Sequence, residues 1–182
     1  MYIEATTGLL SNARHVPSPN CNDRPLGVVV DLLVVHNISL PPGEFGHPYI
    51  DDFFTNKLDP SLHPYFTEIA LLTVSSHCLI RRSGEIVQYV PFHKRAWHAG
   101  VSRFQDREDC NDFSIGIELE GTDHIPYTNE QYQVLAQVIE VLQNSYPLIT
   151  QDRIVGHQTI APTRKTDPGP AFDWSRLSAL LT

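Results

Sequence analysis

The order of apolar and polar residues along the chain predicts several strands. Residues 28–36 (VVVDLLVVH) are apolar almost throughout and rich in valine, which is typical of a strand buried on both faces. Residues 114–120 (SIGIELE) alternate instead, so Ile115, Ile117 and Leu119 should share one face. The polar residues of that strand, Glu118 and Glu120 among them, should share the other face.

A hairpin and four helices complete the pattern. Residues 77–82 and 86–90 flank Ser83-Gly84-Glu85, which is typical of a β-hairpin. Thr128 followed by Gln131 forms a capping box, and an apolar stripe at helical spacing then predicts a helix over 128–146. That stripe consists of Tyr132, Leu135, Ile139, Leu142 and Tyr146. Shorter helices are predicted at 48–57, at 64–71 and, with Asp173 as N-cap, at 174–181.

This interleaving of strands and helices predicts the fold class. The hairpin requires some antiparallel pairing within an otherwise interleaved α/β arrangement. We therefore expect an α/β fold with a mixed central β-sheet flanked by helices. A chain of 182 residues without internal repeats fits a single domain, residues 1–182.

Composition excludes some function classes. The net charge of −8, from 21 acidic and 13 basic residues, argues against a general nucleic-acid binder. No apolar run approaches the length of a transmembrane helix, so we expect no membrane insertion. The first residues lack the basic and apolar regions of a secretory signal, and the three cysteines form no CxxC pair. We therefore expect a cytoplasmic protein with reduced thiols.

Candidate chemistry comes from histidines at the ends of apolar segments. His36 ends the segment 28–36, and the chain is expected to turn into a loop at Asn37; α/β proteins tend to bind ligands at such strand ends. His157 ends the segment RIVGH, and Asp167 follows in a loop rich in proline and glycine. Two imidazoles and one carboxylate would give zinc three ligands and leave the fourth position open, as catalysis requires. The spacing matches no short zinc motif, and a histidine merely hydrogen-bonded at a strand end is the alternative.

Two further groups would suit hydrolysis. A metal-activated water needs a base, and either Glu118 or Glu120 could supply it, since both lie on the polar face of the same strand. Lys165 lies two residues before Asp167, so in an extended loop its ammonium would reach the metal and stabilise an oxyanion. The alternative for Lys165 is a solvated loop charge.

Four stretches of the chain carry a family resemblance. They are LLVVHNISLPPGEFG (32–46), SSHCLIRRSGEIVQYVPFHKRAWHAGVS (75–102), CNDFSIGIELEGTD (110–123) and GHQTIAPTRKTDPGPAFDW (156–174). In this order they closely resemble the zinc-dependent N-acetylmuramoyl-L-alanine amidases, above all the cytoplasmic members that act on 1,6-anhydro-muropeptides. The resemblance implies the fold shared with the peptidoglycan-recognition proteins.

The resemblance also implies roles for individual residues. Matched motif by motif, His36, His157 and Asp167 are the Zn²⁺ ligands, Glu118 is the general acid/base and Lys165 stabilises the oxyanion. The implied reaction is hydrolysis of the amide between the lactyl group of (1,6-anhydro)-N-acetylmuramic acid and L-alanine of the stem peptide. A water on the zinc is the nucleophile, and the pathway is peptidoglycan recycling.

Substrate contacts are assigned to four residues. Asn37 could hydrogen-bond the peptide, Trp97 could stack on the sugar, His98 could line the cleft and Arg164 could pair with a peptide carboxylate. A tryptophan packed against the sheet is the alternative for Trp97. The expected partner is a small muropeptide, with no nucleic acid, no membrane and no obligate protein partner.

Two other classes of function compete with this one. An exported amidase or endolysin acting on intact wall would be expected to carry a signal sequence or a wall-binding module. A peptidoglycan-binding module without catalysis would be expected to have lost a zinc ligand, whereas His36, His157 and Asp167 are all present.

Overall fold

The structure is a computed structural model and describes residues 1–181. Its ten strands, several of them only two residues long, are β1 (Arg14–His15), β2 (Cys21–Asn22), β3 (Leu32–Ile38), β4 (Cys78–Ile80), β5 (Ile86–Gln88), β6 (Arg95–Ala96), β7 (Arg103–Phe104), β8 (Arg107–Glu108), β9 (Ser114–Glu120) and β10 (Ile154–Gly156), all within that range. Its five α-helices there are α1 (Tyr49–Phe54), α2 (Pro64–Ile69), α3 (Asn129–Ser145), α4 (His157–Ile160) and α5 (Trp174–Leu180).

A six-stranded mixed sheet forms the centre of the fold, which confirms the predicted fold class. The strand order is β1-β5-β4-β9-β3-β10. Strands β4, β9, β3 and β10 are parallel. Among the described residues of this sheet, only β4 and β5 pair antiparallel, as the two arms of the predicted hairpin. Gly84 adopts a φ of 86° in that turn, which suits a residue without a Cβ. The carboxyl ends of β4, β9, β3 and β10 therefore meet at one edge of the sheet.

The pairing of β3 with β9 moves the boundaries predicted for the first long strand. Strand β9 spans residues 114–120 as predicted, and its seven residues pair in register with Leu32–Ile38. The strand therefore continues beyond His36 through Asn37 to Ile38, and the expected turn at Asn37 was wrong. The start at residue 28 was also wrong: Asp31 precedes the strand, and its carboxylate pairs with Arg153 at 2.7 Å.

Helix α3 covers one face of the sheet. Thr128 and Gln131 form the predicted capping box, with the Thr128 side chain accepting from the backbone N–H of Gln131 at 3.1 Å. The apolar stripe of α3 packs on Ile115, Ile117 and Leu119 of β9, so that face of β9 is confirmed as apolar. Asp173 caps α5, as predicted, by accepting from the backbone N–H of Arg176 at 2.9 Å.

Helices α1 and α2 lie on the opposite face of the sheet. Helices α1 and α2 are confirmed but shorter than the predicted ranges 48–57 and 64–71. Phe53, Phe54 and Phe66 from these helices pack on Leu79 and Val87 of the sheet. Residues 114, 116, 118 and 120 point to this face of β9, and all seven residues of the strand are buried.

None of the helices within residues 1–181 combines the length and apolar character that crossing a membrane requires.

The cap of α3 gives a stability prediction. The Thr128 hydroxyl accepts from the backbone N–H of Gln131 and donates to the carbonyl of Arg82 at 2.8 Å, which ties α3 to the hairpin. We expect Thr128→Ala to lower the free energy of unfolding by about 1 kcal/mol or somewhat more, because the cap is lost together with the second bond. Chemical denaturation measures the change. Thr128→Ser keeps both bonds and should retain most of the stability; an equal loss in both variants would contradict the hydroxyl's role.

Candidate functional site

Three side chains that are far apart in the sequence converge at the carboxyl edge of the sheet. His36 lies in β3, His157 begins α4 directly after β10, and Asp167 lies in the loop that follows α4. The Nδ1 atoms of the two histidines lie 3.0 Å apart, and each lies 3.1 Å from Oδ2 of Asp167. The structure thus brings together the three residues predicted as metal ligands.

Hydrogen bonds to two successive carbonyls hold the loop that carries Asp167. The carbonyl of Asp167 accepts from the backbone N–H of Gln158 at 3.0 Å. The next carbonyl, that of Pro168, accepts from Asn37 Nδ2 at 3.1 Å and from the Tyr127 hydroxyl at 2.8 Å. Gly156 lets the loop approach, because a Cβ there would lie 2.7 Å from Pro168 Cδ.

The protonation of the three side chains favours a cation between them. Nε2 of His157 faces the carbonyl of Ala99 at 3.1 Å, and a carbonyl only accepts, so Nε2 carries the hydrogen. In the tautomer with its hydrogen on Nε2, the Nδ1 lone pair of His157 is directed at Asp167. Burial lowers the pKa of His36 to about 4, which keeps that imidazole uncharged at neutral pH.

Two neutral imidazoles and one ionised carboxylate form a donor set that zinc accepts. In a tetrahedral site with metal–ligand distances of about 2.0–2.1 Å, neighbouring ligand atoms lie about 3.3 Å apart. The observed separations of 3.0–3.1 Å fit such a site without rearrangement of the backbone. The three residues therefore form a candidate metal site with room for a fourth ligand on the cleft side.

Glu118 lies next to the candidate metal site because β3 and β9 pair in register. Residues 36 and 118 are direct neighbours across the two strands, so their side chains leave the same face of the sheet. Glu118 is 8% exposed, and its Oε2 is enclosed without a hydrogen-bond partner among the described residues. Burial, reinforced by the charge of Asp167, raises the pKa of Glu118 well above its ordinary value. A raised pKa is typical of a carboxyl that exchanges a proton with a reacting group.

Glu120, the other carboxylate on this face, is engaged in hydrogen bonds that hold the fold together. Its oxygens accept from the backbone N–H of Gly46 at 2.7 Å, from Arg81 Nη1 at 3.2 Å and from the backbone N–H of Arg82 at 3.1 Å. It ties the loop before α1 to the end of β4. Of the two carboxylates left open by the sequence pattern, only Glu118 lines the cleft with the candidate ligands.

The candidate ligands form the floor of a cleft of about 400 Å³. Lys165 also lines the cleft, and its ammonium has no hydrogen bond or ion pair within residues 1–181. One wall of the cleft is apolar and comes from α1, α2 and their neighbours: Leu40, Phe53, Phe54, Tyr65, Ile69, Leu72 and Val74. The sequence analysis did not predict this wall, because its residues lie in or next to short helices whose apolar positions are also typical of a hydrophobic core.

The four predicted substrate contacts occupy different environments. Asn37 and Trp97 line the cleft; Asn37 also donates to Asp123 Oδ1 at 2.8 Å, and Trp97 Nε1 donates to Asn22 at 2.8 Å. His98 lines the cleft too but lies behind His36, with its Nδ1 2.9 Å from Nε2 of that residue.

Arg164 is absent from the described cleft lining; its guanidinium donates to the carbonyls of Ala99 and Val101 at 2.6 and 2.8 Å. The contacts of all four residues with a substrate stay predictions.

Comparison with known proteins gives a family match. Residues 22–170 match the model of the Amidase_2 family, N-acetylmuramoyl-L-alanine amidase. The chain is 65% identical over 175 residues to the 1,6-anhydro-N-acetylmuramyl-L-alanine amidase AmpD of Enterobacter cloacae, covering 96% of this chain and 93% of that protein.

Solved structures agree with the match. The crystal structure of a selenomethionine derivative of AmpD superposes with a TM-score of 0.96 at 63% identity and covers 100% of both chains. The Escherichia coli amidase AmiD, in complex with its substrate anhydro-N-acetylmuramic acid-L-Ala-D-γ-Glu-L-Lys, superposes with a TM-score of 0.61 at 28% identity, over 86% of this chain and 60% of that one. The resemblance read from the four sequence stretches is therefore confirmed.

His77 is a buried histidine next to the site, and it gives a prediction on pH. Its Nδ1 accepts from the backbone N–H of Gly116 at 3.0 Å, and its Nε2 lies 3.1 Å from the carbonyl of Lys94. Burial, with a contribution from the charge of Arg24, lowers the pKa of His77 to about 3 in the folded protein. An unfolded histidine has a pKa of about 6.5. Below that pH the unfolded state therefore binds a proton that the folded state excludes.

We expect the metal-free protein to lose stability as the pH falls from about 6.5 toward 4. The slope contributed by His77 should approach about 1.4 kcal/mol per pH unit, because one extra proton binds on unfolding. Denaturation curves between pH 4.5 and 7.5 measure the slope. His77→Gln removes one titrating group, so the slope of the free energy of unfolding against pH should fall by about the contribution of one proton. An unchanged slope in this variant would contradict the prediction.

Proposed function

The chain belongs to the N-acetylmuramoyl-L-alanine amidase family, and on that premise we propose that it is a zinc hydrolase of 1,6-anhydro-muropeptides. The bond cleaved is the amide between the lactyl group of 1,6-anhydro-N-acetylmuramic acid and L-alanine of the stem peptide. In this proposal residues 1–182 act as one catalytic domain, and the reaction belongs to peptidoglycan recycling in the cytoplasm. The similarity to the 1,6-anhydro-N-acetylmuramyl-L-alanine amidase AmpD, and to AmiD in complex with an anhydro-N-acetylmuramyl peptide, supports the choice of substrate.

One observation carries the proposal. His36, His157 and Asp167 direct three donor atoms at one point on the floor of a cleft, and Glu118 lies beside them with an unpartnered carboxylate oxygen. A buried group of donors without a cation between them is costly, since lone pairs at about 3 Å repel each other. The arrangement has a physical explanation if these residues hold a metal ion and Glu118 handles a proton.

We propose Zn²⁺ as the ion, because two imidazoles, one carboxylate and an open fourth position are typical of catalytic zinc. When bound, Zn²⁺ supplies a Lewis acid that polarises the amide carbonyl and acidifies water at neutral pH. The other steps fall to the chain's own residues. Glu118 takes the proton of the attacking water and returns it to the departing nitrogen of L-alanine. The raised pKa of Glu118 suits both halves of this transfer.

Lys165 and the cleft walls complete the proposed site. The ammonium of Lys165 faces the same cleft and would stabilise the negative charge on the carbonyl oxygen of the tetrahedral intermediate. Trp97 and the apolar wall from α1 and α2 offer a surface for the sugar ring. Asn37 lines the same cleft and would hydrogen-bond the peptide beside the scissile bond.

Metal removal tests the proposed function directly. We expect the purified protein to release peptide from anhydro-N-acetylmuramyl-tripeptide, to lose this activity after dialysis against a chelator, and to regain it on addition of one equivalent of Zn²⁺. Product release is followed by mass spectrometry, and metal content by elemental analysis. Asp167→Ala should retain little zinc and little activity, whereas Asp106→Ala, at a fully exposed carboxylate, is the matched control. Full turnover in the metal-free protein would overturn the metal assignment.

Glu118→Gln tests the proton transfer. The substitution keeps the size of the side chain but removes the titrating group, so we expect kcat to fall by about 100- to 10,000-fold while zinc binding is retained. Steady-state kinetics together with zinc content per protein measure the two effects. Glu120→Gln is the matched variant: it weakens the bonds to Arg81 and the loop before α1, so it should lower stability more than kcat in the folded fraction. A larger loss of kcat in Glu120→Gln than in Glu118→Gln would identify Glu120 as the base.

A further inference from the structure

The partners behind the two histidine ligands lie on one short segment, residues 97–100. Nε2 of His36 lies 2.9 Å from Nδ1 of His98, and Nε2 of His157 lies 3.1 Å from the carbonyl of Ala99. The side chain of one residue and the backbone of the next therefore contact the nitrogens that point away from the candidate metal site. Hydrogen bonds of this kind set which ring nitrogen of a metal-binding histidine carries the proton.

The carbonyl of Cys110 fixes the direction of the hydrogen bonds that run through Ser114 and His98 to His36. The Ser114 hydroxyl donates to the carbonyl of Cys110 at 2.6 Å, so its oxygen is left to accept from Nε2 of His98 at 3.1 Å. His98 then carries its hydrogen on Nε2 and accepts at Nδ1. His36 must donate from Nε2, and its lone pair at Nδ1 points at the candidate metal site. Each bond determines the next one.

The packing around His98 explains why the ring stays in this orientation. Both of its nitrogens are engaged, and the ring lies against Gly116 of β9, where a Cβ would collide with the imidazole. The glycine in the SIGIELE strand therefore makes the space that His98 occupies. A side chain held in this way is poorly placed to contact a substrate, although its edge reaches the cleft.

One buried amide holds the backbone of the segment. Oδ1 of Asn111 accepts from the backbone N–H of His98 at 3.0 Å and from that of Ala99 at 2.8 Å. Asn111 is 8% exposed, and its own carbonyl accepts from Arg24 Nη1 at 3.1 Å. Because the two N–H groups belong to the residues that contact His36 and His157, a shift of Asn111 would move the partners of both ligands together.

We propose that His98, Ser114 and Asn111 are positioning residues that set the tautomer and orientation of His36 and His157. His98 and Ser114 act on His36 through the chain of hydrogen bonds, and Asn111 acts on both histidines by fixing the segment 97–100. This inference rests on the proposed metal site and replaces the substrate contact expected for His98.

The test compares two substitutions of His98. His98→Leu removes the acceptor, whereas His98→Asn keeps an oxygen near the position of Nδ1. We expect His98→Leu to weaken zinc binding by about 10- to 100-fold and His98→Asn to recover most of this loss. Competition with a chromophoric chelator measures the affinity. His93→Leu, at an exposed histidine, is the matched control and should bind zinc as the parent does.

A second readout does not depend on zinc. In the metal-free parent, ¹⁵N chemical shifts of the His36 ring should report a single tautomer with the hydrogen on Nε2, and His98→Leu should convert it to a mixture. Ser114→Ala is a milder change that keeps the core filled, and it should shift the His98 tautomer and weaken zinc binding in the same direction but less. Asn111→Leu should perturb both His36 and His157, whereas Asn111→Asp keeps both acceptor bonds.

The outcomes separate the two proposals. If the parent binds no zinc, the proposed function fails, and the tautomer of His36 in the metal-free variants still decides the positioning inference. The positioning inference would be overturned if His98→Leu and Ser114→Ala bound zinc within about threefold of the parent and the His36 tautomer were unchanged. A raised KM with unchanged zinc affinity in His98→Leu would restore the substrate contact and also overturn it.

Discussion

The site depends on the parallel register between two central strands. Because β3 and β9 pair residue by residue over seven positions, His36 and Glu118 leave the sheet side by side on the same face. A shift of one residue would turn one of them into the apolar core under α3, since side chains alternate across a strand. The apolar residues of β9 that pack on α3 thus fix the position of the residues on the other face. Core packing and site geometry are two consequences of one alignment.

Local signals in the sequence predicted the elements whose structure is decided locally. Strand β9 alternates cleanly and was predicted at its observed bounds, and α3 is preceded by Thr128, which forms the capping box with Gln131. Strand β3 was placed less well, because its end depends on the partner strand. Asn37 reads as a turn residue in isolation, but hydrogen bonding to β9 continues past it. A neighbouring strand 80 residues away gives no signal in a local window.

Long-range arrangement explains what the sequence could not predict about the site. The three candidate ligands were found from strand ends and from family resemblance, and they do converge. The apolar wall of the cleft was missed, because nothing in α1 or α2 indicates that one end of each helix borders a cavity. The contact between His98 and His36 was missed for a related reason: a histidine beside a tryptophan shows no preference between facing a ligand and supporting another histidine.

The close packing of His98 against Gly116 has a consequence for tolerance to mutation. Position 116 contacts neither the proposed ion nor the cleft wall, yet any side chain there would displace the imidazole behind His36. A survey of random substitutions should therefore find inactive variants at this glycine that fold well enough to accumulate. Inspection of the cleft alone would misclassify them as neutral. A residue of this fold can therefore be sensitive to substitution through the side chains that support the ligands, without contacting the ligands themselves.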